Sequence, residues 1–152
     1  MGSGTLQDAI YNSMWVNKNI YSPDAEQTIL AAIKIVKSID TNNDNAISRI
    51  YQTCSNVFYK KGEIEEALLY LIIAEDKGST DTQAVTKQIM AQIYMAKGDY
   101  EKALEYIKIA LNKKSCYETN LLCQQTLTHI NLAKELLEEK RVYLEKNMKL
   151  IY

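Results

Sequence analysis

Apolar and small residues recur every three or four positions through Tyr51, Cys54, Ser55 and Phe58, and again through Ala67, Leu71 and Ala74. That spacing predicts two helices with one buried face each, and Gly62 falls between them. The same pattern returns 36 residues later, with Lys87, Met90, Ala91 and Tyr94, then Gly98, then Ala103, Ile107 and Ala110. Two like helix-turn-helix units follow, at residues 48–81 and 84–116, and self-similarity at such a period predicts a stacked helical array. Each turn glycine is expected to take positive φ at the end of its first helix.

The flanks carry the pattern more weakly. Ala25, Ile29 and Ala32 repeat the second-helix spacing, and Ala9, Ser13 and Val16 stand where a first helix belongs, which predicts a degenerate unit over 5–40. Pro23 is placed in the first turn of its second helix. At the other end Cys123, Thr126, Leu127 and Ile130 fall on the first-helix grid, but no turn residue follows. Residues 117–150 contain neither Gly nor Pro and predict one long helix whose first half caps the array. Its second half keeps Ile130, Ala133, Leu137, Leu144, Met148 and Ile151 in a stripe that Arg141 interrupts. Such a stripe predicts a coiled-coil or partner-helix contact, with self-association through 138–152 as one form of it.

The two matching units resemble the tetratricopeptide repeat. The resemblance rests on the small residue Ser55 or Ala91, the aromatic Phe58 or Tyr94, the glycine Gly62 or Gly98, and the paired alanines Ala67 and Ala74 or Ala103 and Ala110. Both units lack the family's helix-ending proline, and Lys87 replaces an aromatic. The resemblance implies an all-α, right-handed helical-repeat array of about seven helices with a long C-terminal capping helix. It also implies a non-enzymatic scaffold that holds a partner protein or extended peptide along the first helices of its units. The alternative expectation is a sensory or regulatory segment of a larger signalling or transcription-regulating protein, with the long helix leading to a membrane anchor or effector part.

Composition narrows the partners. Eighteen Lys and Arg against nineteen Asp and Glu give a net charge of −1, without the basic excess that nucleic acid or an anionic membrane surface selects. No nucleic-acid and no direct membrane binding is expected. Met1–Gly4 reads as an expression scar. A cytoplasmic place is favoured over an extracytoplasmic one, which would need the native chain to continue into a membrane span. Three cysteines lack the spacing of a disulfide framework or a zinc site; Cys54 and Cys123 fall on apolar faces, and Cys116 is expected to be partly exposed.

No catalytic constellation is legible. His129 is the only histidine, too few for a zinc site or a triad, and no phosphate-binding glycine loop occurs. Asp40, Asn42 and Asp44 begin like a calcium loop, but Asn45 replaces its glycine and Tyr51 its bidentate glutamate. These Asx residues suit loops and helix caps instead. No cofactor, metal or catalytic residue is assigned. Most of the eleven tyrosines are expected to be half-buried packing residues.

The resemblance places a binding groove on the face of the first helices opposite Phe58, Tyr94 and Ile130. That face reads Arg49, Gln52, Asn56 and Tyr59 in one unit, and Val85, Gln88, Gln92 and Met95 in the next. The capping helix supplies Leu121, Gln124, Thr128 and Asn131. The offset stacks Gln52, Gln88 and Gln124, and then Asn56, Gln92 and Thr128. This ladder of neutral amides is expected to read the backbone of an extended ligand, since each amide offers a donor and an acceptor.

Overall fold

The computed structural model describes residues 4–151. Met1–Ser3, most of the expected scar, and Tyr152 lie outside the described residues. Seven α-helices make up the described chain: α1 (Leu6–Lys18), α2 (Ala25–Ser38), α3 (Asp44–Lys60), α4 (Ile64–Lys77), α5 (Thr80–Ala96), α6 (Tyr100–Asn112) and α7 (Tyr117–Ile151). No strand occurs among the described residues.

The helices pair as consecutive hairpins, α1 with α2, α3 with α4 and α5 with α6, and α7 lies against both α5 and α6. Odd-numbered helices also touch one another in series, α1 to α3 to α5 to α7, whereas the even-numbered helices do not meet. The odd helices are therefore the closer-packed layer, which bends the array with that layer on the inside.

Backbone chemistry at the turns accounts for the repeat. Gly62 and Gly98 both have φ of 84°, a conformation that costs glycine no Cβ clash. At the first turn the Gly62 N–H donates to Tyr59 O and the Glu63 N–H to Phe58 O; at the second, Gly98 N–H donates to Met95 O and Asp99 N–H to Tyr94 O. Both helices thus end in the same Schellman motif, which satisfies carbonyls a helix terminus leaves unpaired. Asp99 then caps α6 by accepting from the Lys102 N–H at 3.1 Å.

The small residues lie where helices cross. Ala67, Leu71 and Ala74 of α4, and Ala103, Ile107 and Ala110 of α6, are fully buried. Ser55 donates to the Ala67 carbonyl at 2.8 Å, and Ser48 to the Ala74 carbonyl at 2.7 Å, so α3 is bonded as well as packed onto α4. One apolar cluster runs through α1 to α5, and a second, built on Ala91, Ala103, Ile107, Ala110, Cys123 and Ile130, lies beneath α7. The first half of α7 caps the array as expected. Four tyrosines are packing residues: Tyr51 stacks on Tyr70, against which Phe58 lies tilted, and Tyr94 stacks on Tyr106 at 5.4 Å. Lys87 answers for its missing aromatic by lying 4.9 Å from the Tyr106 ring centre and 3.1 Å from Glu75.

One detail differs from expectation. Pro23 lies ahead of the Asp24 N-cap, outside the first turn of α2, which starts at Ala25. The Ser22 carbonyl accepts from the Ala25 N–H, so the proline shapes the approach to the helix and not its first turn. In the calcium-like segment Asn43 caps α3 by accepting from the Ala46 N–H at 3.2 Å.

Candidate functional site

A cleft of about 420 Å³ opens on the inner layer. All four odd helices reach it: Asn17 from α1; Arg49, Gln52, Thr53 and Asn56 from α3; Asp81, Thr82, Val85 and Ile89 from α5; and Thr119 from α7. A neighbouring cleft of about 620 Å³ between α1 and α3 shares Asn17 and Arg49 and adds Met14 and Ile10. Val85 and Ile89, one turn apart on α5, give the first cleft an apolar wall, while Asn56 and Arg49 give the facing wall polar ends. Arg49 is exposed and forms no ion pair among the described residues.

The expected amide ladder breaks at its centre. Gln52 is 8% and Gln88 3% exposed, because both amides are bonded across the junction to the next odd helix. The Gln52 amide donates to Thr82 O at 3.1 Å and Thr86 Oγ1 at 3.0 Å. Gln88 donates to Thr126 Oγ1 at 3.0 Å. With the Ser13 hydroxyl donating to Thr53 Oγ1 at 3.1 Å, a buried polar stitch crosses each junction in the inner layer. Buried amides have to find such partners, so Gln52 and Gln88 hold the units together and are not available as a peptide-reading pair.

Of the remaining expected residues, Arg49 and Asn56 line the cleft with Gln52. Tyr59 and Met95 are half-buried and pack on the two apolar clusters. Gln92, Gln124, Thr128 and Asn131 are exposed but lie outside this cleft. Gln124 spends its amide on Asn120 Oδ1 at 2.8 Å, and Thr128 donates to the Gln124 carbonyl.

Sequence reading missed Asp81. Its Oδ1 accepts from the Cys116 N–H at 2.9 Å, and its Oδ2 from the Thr119 hydroxyl at 3.2 Å. A carboxylate on α5 thereby caps the start of α7 across space. The Cys116 backbone N–H, helped by the Cys116 and Thr119 side chains and the charge of Arg49, holds the Asp81 carboxyl below the usual carboxylate range. Asn45, 36 residues earlier, accepts from the Ser79 N–H at 2.9 Å at the start of α5. The signal was present as a pair of Asx residues at the repeat offset.

The two buried cysteines, Cys54 and Cys123, are poor nucleophiles, their thiols raised by burial. Burial pushes the Cys54 thiol up to about 12, which suppresses the reactive thiolate. Among the described residues no group of His, Cys, Asp and Glu is arranged to hold a metal ion, and no helix is long and apolar enough to cross a membrane. No protein-family model matches the chain, and no curated protein matches it.

Proposed function

We propose that the chain is a non-enzymatic scaffold of the tetratricopeptide type, which holds an extended segment of a partner protein along its inner helical layer. The observation that carries this reading is the 420 Å³ cleft shared by all four odd helices, with Val85 and Ile89 on one wall and unpaired Arg49 beside Asn56 on the other. An apolar ligand side chain fits against Val85 and Ile89. The Asn56 amide is free to pair with a flanking peptide unit, and Arg49 supplies one charge-assisted donor.

The test is a peptide-library selection, followed by binding of the best ligand to variants. Asn56→Ala should weaken binding by about 0.5–1.5 kcal/mol, the net value of a hydrogen bond. Arg49→Ala should weaken it and also remove most of its salt dependence. Gln92→Ala, outside the cleft, should leave binding unchanged. A ligand indifferent to Asn56, Arg49 and Val85→Asp would place binding elsewhere.

The free half of α7 favours a second reading, in which the array is a regulatory segment and the helix relays its state to an effector part. That reading predicts that ligand binding in the cleft changes amide-exchange protection in residues 117–138.

A further inference from the structure

The face of α7 that rests on the array carries Cys123, Thr126 and Ile130, all buried. Helical periodicity carries the same face onward through Leu137, Leu144 and Met148, which are 52%, 49% and 57% exposed. The side chain of Ile151, next on that line, lies outside the described ones. Beside Leu137, where the array ends, an open notch of about 410 Å³ is lined by Gly98 of the α5–α6 turn, by Tyr100 and Glu101 at the start of α6, and by Lys134 and Glu138 of α7. The apolar surface is thus continuous with an interface already in use, and ridges of this kind are seldom left uncovered.

Charge decides what covers it. From Lys134 to Lys149 the helix carries five Lys and Arg against four Glu. A membrane-surface helix needs a predominantly basic polar face, and this balance does not give one. Along the edge of the stripe, which Arg141 interrupts between Leu137 and Leu144, the signs alternate as Lys134, Glu138, Arg141, Glu145. Read backwards, the edge presents the opposite signs to itself.

We propose that α7 pairs antiparallel with α7 of a second copy of this chain. One register satisfies both patterns. It sets Leu137 against the second copy's Leu144, and small Ala133 against its Met148, which enters the notch beside Leu137. Within a turn of that register Glu138 faces the second copy's Arg141, and Lys134, bound in the single chain to Glu101 at 2.6 Å, faces its Glu145. Two-fold symmetry repeats each contact, as an isologous interface requires. Arg141, bound in the single chain to Glu138 and Glu145 of its own helix, exchanges a neighbour for the same group on the second copy. Four such layers bury less than the ~1,200 Å² of a standard specific interface, so the dimer forms reversibly with concentration.

Sedimentation equilibrium of the full chain over a broad concentration range tests this. A monomer–dimer equilibrium is expected. Leu144→Glu, at a position exposed in the monomer, should raise the dissociation constant at least roughly tenfold through an uncompensated charge in the seam, with circular dichroism unchanged. Arg141→Glu and Glu138→Arg should each associate poorly alone, through like charges at the edges. Mixed, they should form a heterodimer as tight as the native homodimer. A full chain that stays monomeric throughout overturns the proposal, even if it captures another protein through this face. So does a dimer indifferent to Leu144→Glu, and so does a mixture no tighter than either variant alone.

Discussion

The unit of α3 and α4 and the unit of α5 and α6 share their backbone and differ in their chemistry. Both turn through a glycine at φ 84° with the same pair of hydrogen bonds. Both bury two alanines and one large aliphatic residue at the crossing. Yet α3 bonds α4 through Ser48 and Ser55, where α5 offers α6 only Ala84 and Ala91. The outer face of α4 exposes Leu69 and Ile72, and the matching positions of α6 are Glu105 and Lys108. The comparison separates two requirements. A small side chain is needed for close approach, and a hydroxyl on it is an optional addition. The apolar positions that face inward are tied to the period, and those that face outward are free to change.

The large buried residues should break both units hardest. Leu71→Ala and Ile107→Ala each remove a fully buried side chain and should cost about 2–5 kcal/mol by chemical denaturation. Leu71 should lie toward the upper end, because its cluster is enclosed by α1 to α5 whereas that of Ile107 has fewer walls to hold a cavity open. An Ile107→Ala loss clearly exceeding that of Leu71→Ala would reverse this ranking of the two units.

Overpacking comes next. Ala67→Leu and Ala103→Leu insert volume at crossings where the alanine is wholly buried, and each should cost about 1–3 kcal/mol. The exposed Lys108→Leu serves as the reference. Thermal midpoints that do not move in either alanine variant would show that the crossings have room, and that the alanines are not there for approach.

The alanines and the glycines of the hairpins were legible because each answers to contacts within one hairpin, which a spacing of three or four residues encodes. The inner layer was not. Whether Gln52 faces the cleft or the next odd helix depends on how closely α5 approaches α3, and no periodicity within α3 records that distance. The cap from Asp81 to α7 likewise joins residues in different units, and only the matching Asn45 hinted at it. Arg49 and Asn56 were legible as groove residues because they fall on the face of α3 opposite Phe58, the face that lines the cleft. Tyr59 and Met95 had the aliphatic or aromatic bulk to pack instead.

Exchanging the optional hydroxyls sharpens the comparison. Ser55→Ala makes the first unit resemble the second and removes a buried bond to the Ala67 carbonyl. The cost should be about 0.5–1.5 kcal/mol, since that carbonyl loses one partner and no new cavity of any size appears. Ala91→Ser tests the reverse exchange and should be neutral or mildly stabilising in the same denaturation assay. If Ser55→Ala is silent while Ala91→Ser destabilises by more than a kcal/mol or so, the hydroxyl is not what distinguishes the units.

The smallest effect concerns the two caps that cross between units. Asn45 and Asp81 hold equivalent positions, but only Asp81 brings a charge to the start of the next helix. A carboxylate there interacts favourably with the helix dipole, so Asp81→Asn should lose about 0.3–1 kcal/mol at neutral pH and low salt. The loss should shrink as salt screens the charge. Its pH dependence has a definite sign. Hydrogen bonding from the Cys116 N–H lowers the folded carboxyl's affinity for its proton, so the unfolded chain binds that proton first as the solution is acidified. The contribution is therefore complete above the unfolded value of about 3.9 and is lost as pH falls through the lower folded value. Once protonated, Asp81 is as neutral as the asparagine that replaces it. The stability difference between the native chain and Asp81→Asn should accordingly be constant near neutrality and close in acid, below the ordinary carboxylate range. Asn45→Asp should open a gap of the opposite sign over the same pH window, by giving α5 the charge that α7 already has. A difference that persists unchanged through acid would mean that Asp81 acts through its shape and not its charge.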